Sequence, residues 1–154
     1  MINSIIKSIK DNFNDVSIWE NSEYYWIYKL PTTVKGKIGE KIISTFFKQK
    51  GEIVYRNPTP DWDLNISDMR IEVKLSMLNK TGFFKFLQIR PKDDYTHIAF
   101  LCIEPNDVNI FLIPKNKIKG LKPQHSGKRG SQETMYLGIT PTEIKNLYKN
   151  YLIK

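Results

Sequence analysis

The sequence predicts an α/β fold in which a mixed β-sheet is flanked by α-helices. Three observations carry that expectation. Residues 2–13 and 32–51 repeat apolar side chains at helical spacing. Residues 52–114 hold a succession of short runs, alternating or wholly apolar, divided by turn residues, and residues 140–152 return to helical spacing. Helices first, strands in the middle and a helix last is the order of a sheet with helices packed on it. A chain of 154 residues suffices for one domain around one core, and no internal repeat or low-complexity linker divides it.

The first helix is carried by Ile2, Ile5, Ile6, Ile9 and Phe13, an apolar face on a polar segment. The aromatic-rich "SIWENSEYYWIYKLP" fits either a loop or a short helix packing Trp19 and Trp26. In "TTVKGKIGEKIISTFFKQKG" the stripe Ile38, Ile42, Ile43, Phe46 and Phe47 marks a second helix, closed by Gly51. "EIVYR" is a short strand ended by the breaker cluster "NPTP". "DWDLNI" and "RIEVKLS" alternate with period two, and "FFKFLQIR", "THIAFLCI" and "VNIFLIP" complete the strands. "THIAFLCI" is apolar almost throughout, so it belongs at the sheet centre, covered on both faces. Residues 115–134 read as a long basic loop. In "TPTEIKNLYKNYL", Thr140 caps, Pro141 takes the first helical position and Glu143 completes a capping box, with Ile144, Leu147, Tyr148 and Tyr151 as the apolar face.

The formal net charge of +8 and a pI of about 9.5 favour a polyanionic partner, nucleic acid before an anionic membrane surface. The single cysteine, Cys102, lies inside an apolar run. That excludes an intrachain disulfide framework and a cysteine-rich zinc site, and suits a small core residue. The N-terminal segment lacks the apolar block of a signal peptide, and the longest apolar run, "IAFLCI", is far too short to span a bilayer. The expectation is a cytoplasmic protein with no membrane partner.

The chemistry concentrates in "DWDLNISDMRIEVKLS", residues 61–76. The simplest hairpin turns at Ser67 and Asp68 and pairs Ile66 with Met69, Leu64 with Ile71, Asp63 with Glu72 and Asp61 with Lys74. Side chains alternate faces along a strand. Trp62, Leu64, Ile66, Ile71, Val73 and Leu75 are therefore expected in the core, and Asp61, Asp63, Glu72 and Lys74 together on the other face. Opposed carboxylates about 5 Å apart destabilise a strand pair. A divalent cation between them removes the conflict, because hard cations take carboxylate oxygens. The alternative is a charged, solvated sheet face.

"PDWDLNISDMRIEVK" resembles the signature of the PD-(D/E)XK nuclease superfamily, an acid on one strand of a hairpin and Glu-x-Lys on the next. The resemblance spans roughly residues 34–115. It implies a restriction-endonuclease-like core, a Mg²⁺ cofactor for which Mn²⁺ can substitute, and phosphodiester hydrolysis. Asp63 and Glu72, with the Val73 carbonyl, then become metal ligands, and Lys74 orients or helps deprotonate the attacking water. The preceding helix offers Glu40 in "GKIGEKI", on the same ion through water or on a second ion. A later strand offers Gln88 in "FLQIRP" to hold the water or a phosphate. The literal "PD" is Pro60-Asp61, which leaves Asp61 as an alternative ligand, while spacing and the facing Glu72 favour Asp63.

From Val108 to Gln132 there is no acid, and the loop there is rich in Lys and Arg. Such a surface suits phosphates, and Gln and Arg read base edges bidentately. The DNA-contact candidates are Gln124, His125, Lys128, Arg129 and Gln132, with Arg90; the alternative is a solvated loop. The expected function is a Mg²⁺-dependent endonuclease on double-stranded DNA, foremost a small homodimeric type II restriction enzyme, since a two-fold dimer matches a palindromic site. A structure-specific nuclease of junction-resolvase or mismatch-nickase type is the first alternative. A non-catalytic nucleic-acid-binding module on the same fold is the second.

Overall fold

A computed structural model describes residues 1–13, 17–124 and 133–154. Its strands are β1 (Val54–Arg56), β2 (Leu64–Ile66), β3 (Met69–Met77), β4 (Phe84–Ile89), β5 (His97–Glu104), β6 (Asp107–Pro114), β7 (Lys122–Pro123) and β8 (Met135–Ile139). Its helices are α1 (Ile2–Phe13), α2 (Tyr25–Tyr28), α3 (Thr32–Gln49) and α4 (Pro141–Leu147). Five strands form a mixed sheet in the order β1-β2-β3-β5-β6, in which only β3 and β5 run parallel. The mixed sheet flanked by helices is the fold class the sequence predicts.

The two faces of that sheet are covered differently. On one, α3 lies over Leu64, Ile71, Val73, Ala99 and Leu101, with Ile43 fully buried between them. On the other, a second sheet of three antiparallel strands, β4-β8-β7, and α4 enclose Phe84, Phe86, Ile98, Phe100, Phe111 and Ile144. The Phe86 and Phe100 rings, one from each sheet, lie 4.3 Å apart between centroids. β5 is buried from Ile98 to Ile103, as its apolar sequence requires. The segment "FFKFLQIR" thus leaves the main sheet for a second one. Its partner β8 falls in "MYLGI", a stretch whose alternation is too short to read as a strand without that partner.

α3 ends in a Schellman closure. Glu52 N–H donates to the Phe47 carbonyl (3.0 Å) and Gly51 N–H to the Lys48 carbonyl (3.0 Å), with Gly51 at φ 86, where a side chain would be strained. At α4 the Thr140 hydroxyl accepts the Glu143 N–H at 3.2 Å, which is the Thr140 half of the predicted capping box; among the described residues no bond runs from the Thr140 N–H to the Glu143 side chain. That helix is shorter than its sequence suggests. It stops at Leu147 and gives way to a 3-10 turn at Lys149–Tyr151, after which the Ile153 N–H donates to the Ile110 carbonyl of β6 and the Lys154 carbonyl accepts the Ile110 N–H. Ile144 and Tyr148 are buried, but Leu147 is exposed. Trp19 is buried and its indole donates to the Leu78 carbonyl (3.1 Å), whereas Trp26 is exposed. Ile2, Ile5, Ile6 and Ile9 of α1 face solvent. Among the described residues no helix is long and apolar enough to cross a membrane.

Candidate active site

The hairpin of residues 61–76 forms in the expected register from its turn to Leu64, with Ile66 opposite Met69 and Leu64 opposite Ile71. Ser67, at φ 53, supplies the left-handed residue that a two-residue hairpin turn needs. Beyond Leu64 the regular pairing ends, with one last cross-strand bond from the Asp63 N–H to the Ile71 carbonyl at 2.9 Å. Continued pairing would give the Val73 N–H to the Trp62 carbonyl. Instead the Asn57 amide donates to that carbonyl (3.1 Å), and its backbone N–H donates to the Asp63 carbonyl (2.9 Å). The Asp63 carboxylate takes the Val73 N–H in its place, at 2.7 Å. The strict alternation expected of "DWDLNI" therefore fails at its first residues. Trp62 packs against the core under the small sheet and donates to the Asn65 side chain (3.0 Å), on the face away from Leu64. Asp61 lies exposed in the preceding turn.

Because β2 is short, β3 keeps a free edge beyond Ile71 while β5 covers its other edge. A cleft of about 760 Å³ opens along that free edge between α3 on one side and β4 on the other. Glu40 enters from α3, Asp63 from the end of β2, Glu72 and Lys74 from β3, and Gln88 from β4. Val73 turns its N–H, and hence its carbonyl, to the Asp63 side of the strand. Gly39 brings α3 close enough for this: a Cβ there would lie 3.1 Å from the Leu75 Cβ.

Lys74 Nζ is 3.0 Å from Glu72 Oε1 and donates to the Gln88 carbonyl at 3.0 Å. That carbonyl points at the lysine because β4 bulges between Phe86 and Ile89, with Gln88 in the left-handed conformation at φ 53. The Gln88 N–H, lost to the ladder, donates to Gln124 Oε1 at 2.7 Å. Burial pushes the Glu72 carboxyl up to about 7, and the charges of Asp63 and Asp93 add to the rise, against the pull of Lys74. Asp63 is raised by burial despite the Val73 N–H, Lys74 and Arg56. Glu40 is raised by burial and by Asp63, while Arg56, Lys37 and Lys74 oppose the shift. The cleft therefore holds carboxylates that are reluctant to ionise without a cation. Among the described residues no group of three or more His, Cys, Asp and Glu closes into a ready cage. The donor set is a pair, Asp63 and Glu72, with Glu40 facing the same cleft.

Of the other predicted site residues, Gln124 reaches the site through the Gln88 backbone. Arg90 is occupied by Asp93 at 3.8 Å. His125, Lys128, Arg129 and Gln132 lie outside the described residues. Asp93 is buried, and its charge reaches Glu72; nothing in "PKDDYTH", which reads as an ordinary polar turn, marks it. Lys35, Lys80 and Lys85 also line the cleft, and no spacing rule marks them in the sequence.

No protein-family model matches the chain, and no curated protein matches it either. Among solved structures, a bacterial homing endonuclease, I-Ssp6803I, is similar at 16% identity over 73% of this chain and 78% of that one, with a TM-score of 0.49.

Proposed function

We propose that the chain is a divalent-metal-dependent DNA endonuclease hydrolysing phosphodiester bonds. Its resident cation is Mg²⁺, replaceable by Mn²⁺. It works as a homodimer on double-stranded DNA, as a small type II restriction enzyme on a PD-(D/E)XK core would. The observation that carries the reading is the pair Asp63 and Glu72, each held above the usual carboxylate range by burial, with the Lys74 ammonium between Glu72 and the Gln88 carbonyl. A hard divalent cation is the ligand that stabilises such a pair. The donor set fits Mg²⁺ in particular, which takes one or two carboxylates and fills its remaining positions with waters and phosphate oxygens. Asp63, Glu72 and the Val73 carbonyl would hold it, with Glu40 acting through water or on a second ion.

When bound, the cation supplies a water of lowered pKa and neutralises charge on the phosphoryl oxygens. The protein's own groups orient the reactants. The Val73 N–H fixes one carboxylate oxygen of Asp63 and leaves the other for the cleft. Lys74 has three N–H bonds, of which Glu72 and Gln88 take two. The third is available to a water or a phosphate oxygen, where its charge offsets the negative charge that builds up in the transition state. The exposed Gln88 side chain can hold that water.

The test is incubation of supercoiled plasmid with Mg²⁺, Mn²⁺ or EDTA, comparing the natural chain with Lys74→Ala, alongside light scattering for the dimer. Discrete fragments that need metal and Lys74 are expected. Cleavage confined to branched or mismatched DNA would move the protein to the structure-specific class. Tight binding without cleavage of any DNA form would overturn the enzyme reading.

A further inference from the structure

A second groove lies beside the cleft, on the outer side of α3. Lys37, Lys41, Ser44 and Lys48 recur at i, i+4, i+7 and i+11, so they form one stripe along the helix. Arg56 of β1 faces them, and the groove encloses about 430 Å³. Lys37 and Lys48 are about 16 Å apart along the axis, at 1.5 Å rise per residue. None of the four cations is in an ion pair among the described residues. The groove carries one carboxylate, Glu40, and Glu40 also lines the cleft. The field of Arg56 reaches both Glu40 and Asp63. The basic stripe is therefore continuous with the acid pair.

We propose that this groove is a track for the sugar-phosphate backbone of a DNA strand passing out of the cleavage cleft, an inference that rests on the nuclease reading. An elongated row of unpaired cations with a hydroxyl among them matches a polymer of evenly spaced anions. Compact anions need convergent donors, which a stripe along a helix does not supply. Lysines bind phosphate as point charges and carry no base information, so the track adds affinity equally for all sequences. From its position the track would hold the backbone while the cleft presents the scissile phosphate to Asp63 and Glu72.

The experiment measures DNA affinity against salt in a Lys74→Ala background, which keeps the DNA intact. The groove variant is Lys37→Gln/Lys41→Gln/Lys48→Gln, with Arg56→Gln made separately. The control is Lys7→Gln/Lys149→Gln/Lys154→Gln, which removes equal charge at exposed lysines outside both grooves. Each lost phosphate contact should lower the slope of log K against log salt by about 0.9, and weaken binding about eightfold at 0.1 M salt. The groove variants should show this on unrelated sequences alike, and the control should not. If the groove variant keeps the natural slope, or the control loses as much, the track is wrong. Plasmid cleavage separates the two ideas. Metal-dependent cutting with an unaffected groove variant sinks the track and spares the nuclease. Groove-dependent binding with no cutting under any metal does the reverse.

Discussion

Two glycines three residues apart in α3 should respond oppositely to the same substitution. Glycine in a helix interior is less favourable than alanine by about 0.8–1.0 kcal/mol. A Cβ at Gly36 would meet nothing within 4 Å. Gly36→Ala should therefore gain about 1 kcal/mol, a rise in Tm of about 2–4 °C for a chain of this size. At Gly39 the added Cβ would stand 3.1 Å from Leu75 Cβ, 3.5 Å from Leu75 Cδ1 and 3.7 Å from Val73 Cγ1. Carbon atoms prefer about 3.5–4.0 Å. The Leu75 Cβ is anchored to a strand backbone and cannot swing aside, so α3 must retreat by several tenths of an ångström. Overpacking of that kind costs about 1–3 kcal/mol. Set against the propensity gain, Gly39→Ala should be neutral to about 2 kcal/mol destabilised, leaving it about 1–3 kcal/mol below Gly36→Ala. The retreat also draws Glu40 away from Asp63, so cleavage should fall by about tenfold or more, as misplacement by a fraction of an ångström to 1 Å does elsewhere. Thermal unfolding of both variants and plasmid cleavage are the assays. Equal stabilisation by both alanines, with cleavage unchanged, would refute the close approach of α3 to β3.

Mg²⁺ at a hundred times its dissociation constant should stabilise the protein by about 2.7 kcal/mol in calorimetry. Asp63→Asn and Glu72→Gln should lose that gain and Asp61→Asn should keep it; the opposite pattern would make Asp61 the ligand. Asp63→Asn should also abolish cleavage while sparing DNA affinity, measured by titration of labelled duplex. Gln124→Ala removes the acceptor of the Gln88 N–H. Exchange of that amide should quicken, and kcat should fall about three- to tenfold with KM little changed, the worth of one hydrogen bond. Gln124→Glu retains the acceptor and should restore both. Burial raises the Cys102 thiol well above its ordinary pKa, so native protein should be inert to thiol reagents and react only on unfolding.

Local rules made much of the molecule legible in advance. Periodicity locates α1 and α3, because a helix stripe or an alternating strand is written in consecutive residues. The almost wholly apolar "THIAFLCI" announced a strand covered on both faces, and Thr140 and Pro141 announced the start of α4. The hairpin register from the turn to Leu64 followed from a two-residue turn and period two, but Asp63 lies beyond that register and reaches Glu72 by another route. Other features depend on partners distant in the chain. β8 is a strand because β4 and β7 pair with it. Asp63 meets Val73 as it does because Asn57 captures the carbonyl that the ladder would have used. Asp93 bears on Glu72 only through folding. Lys74 is held by a main-chain carbonyl that a bulge turns toward it and that Gln124 secures from 36 residues away. Sequence alone thus determined which residues could carry charge, cap or pack, since those are properties of neighbours along the chain. Only the tertiary structure decided where a strand stops and which backbone groups are left to aim, because those depend on which distant group claims each hydrogen bond.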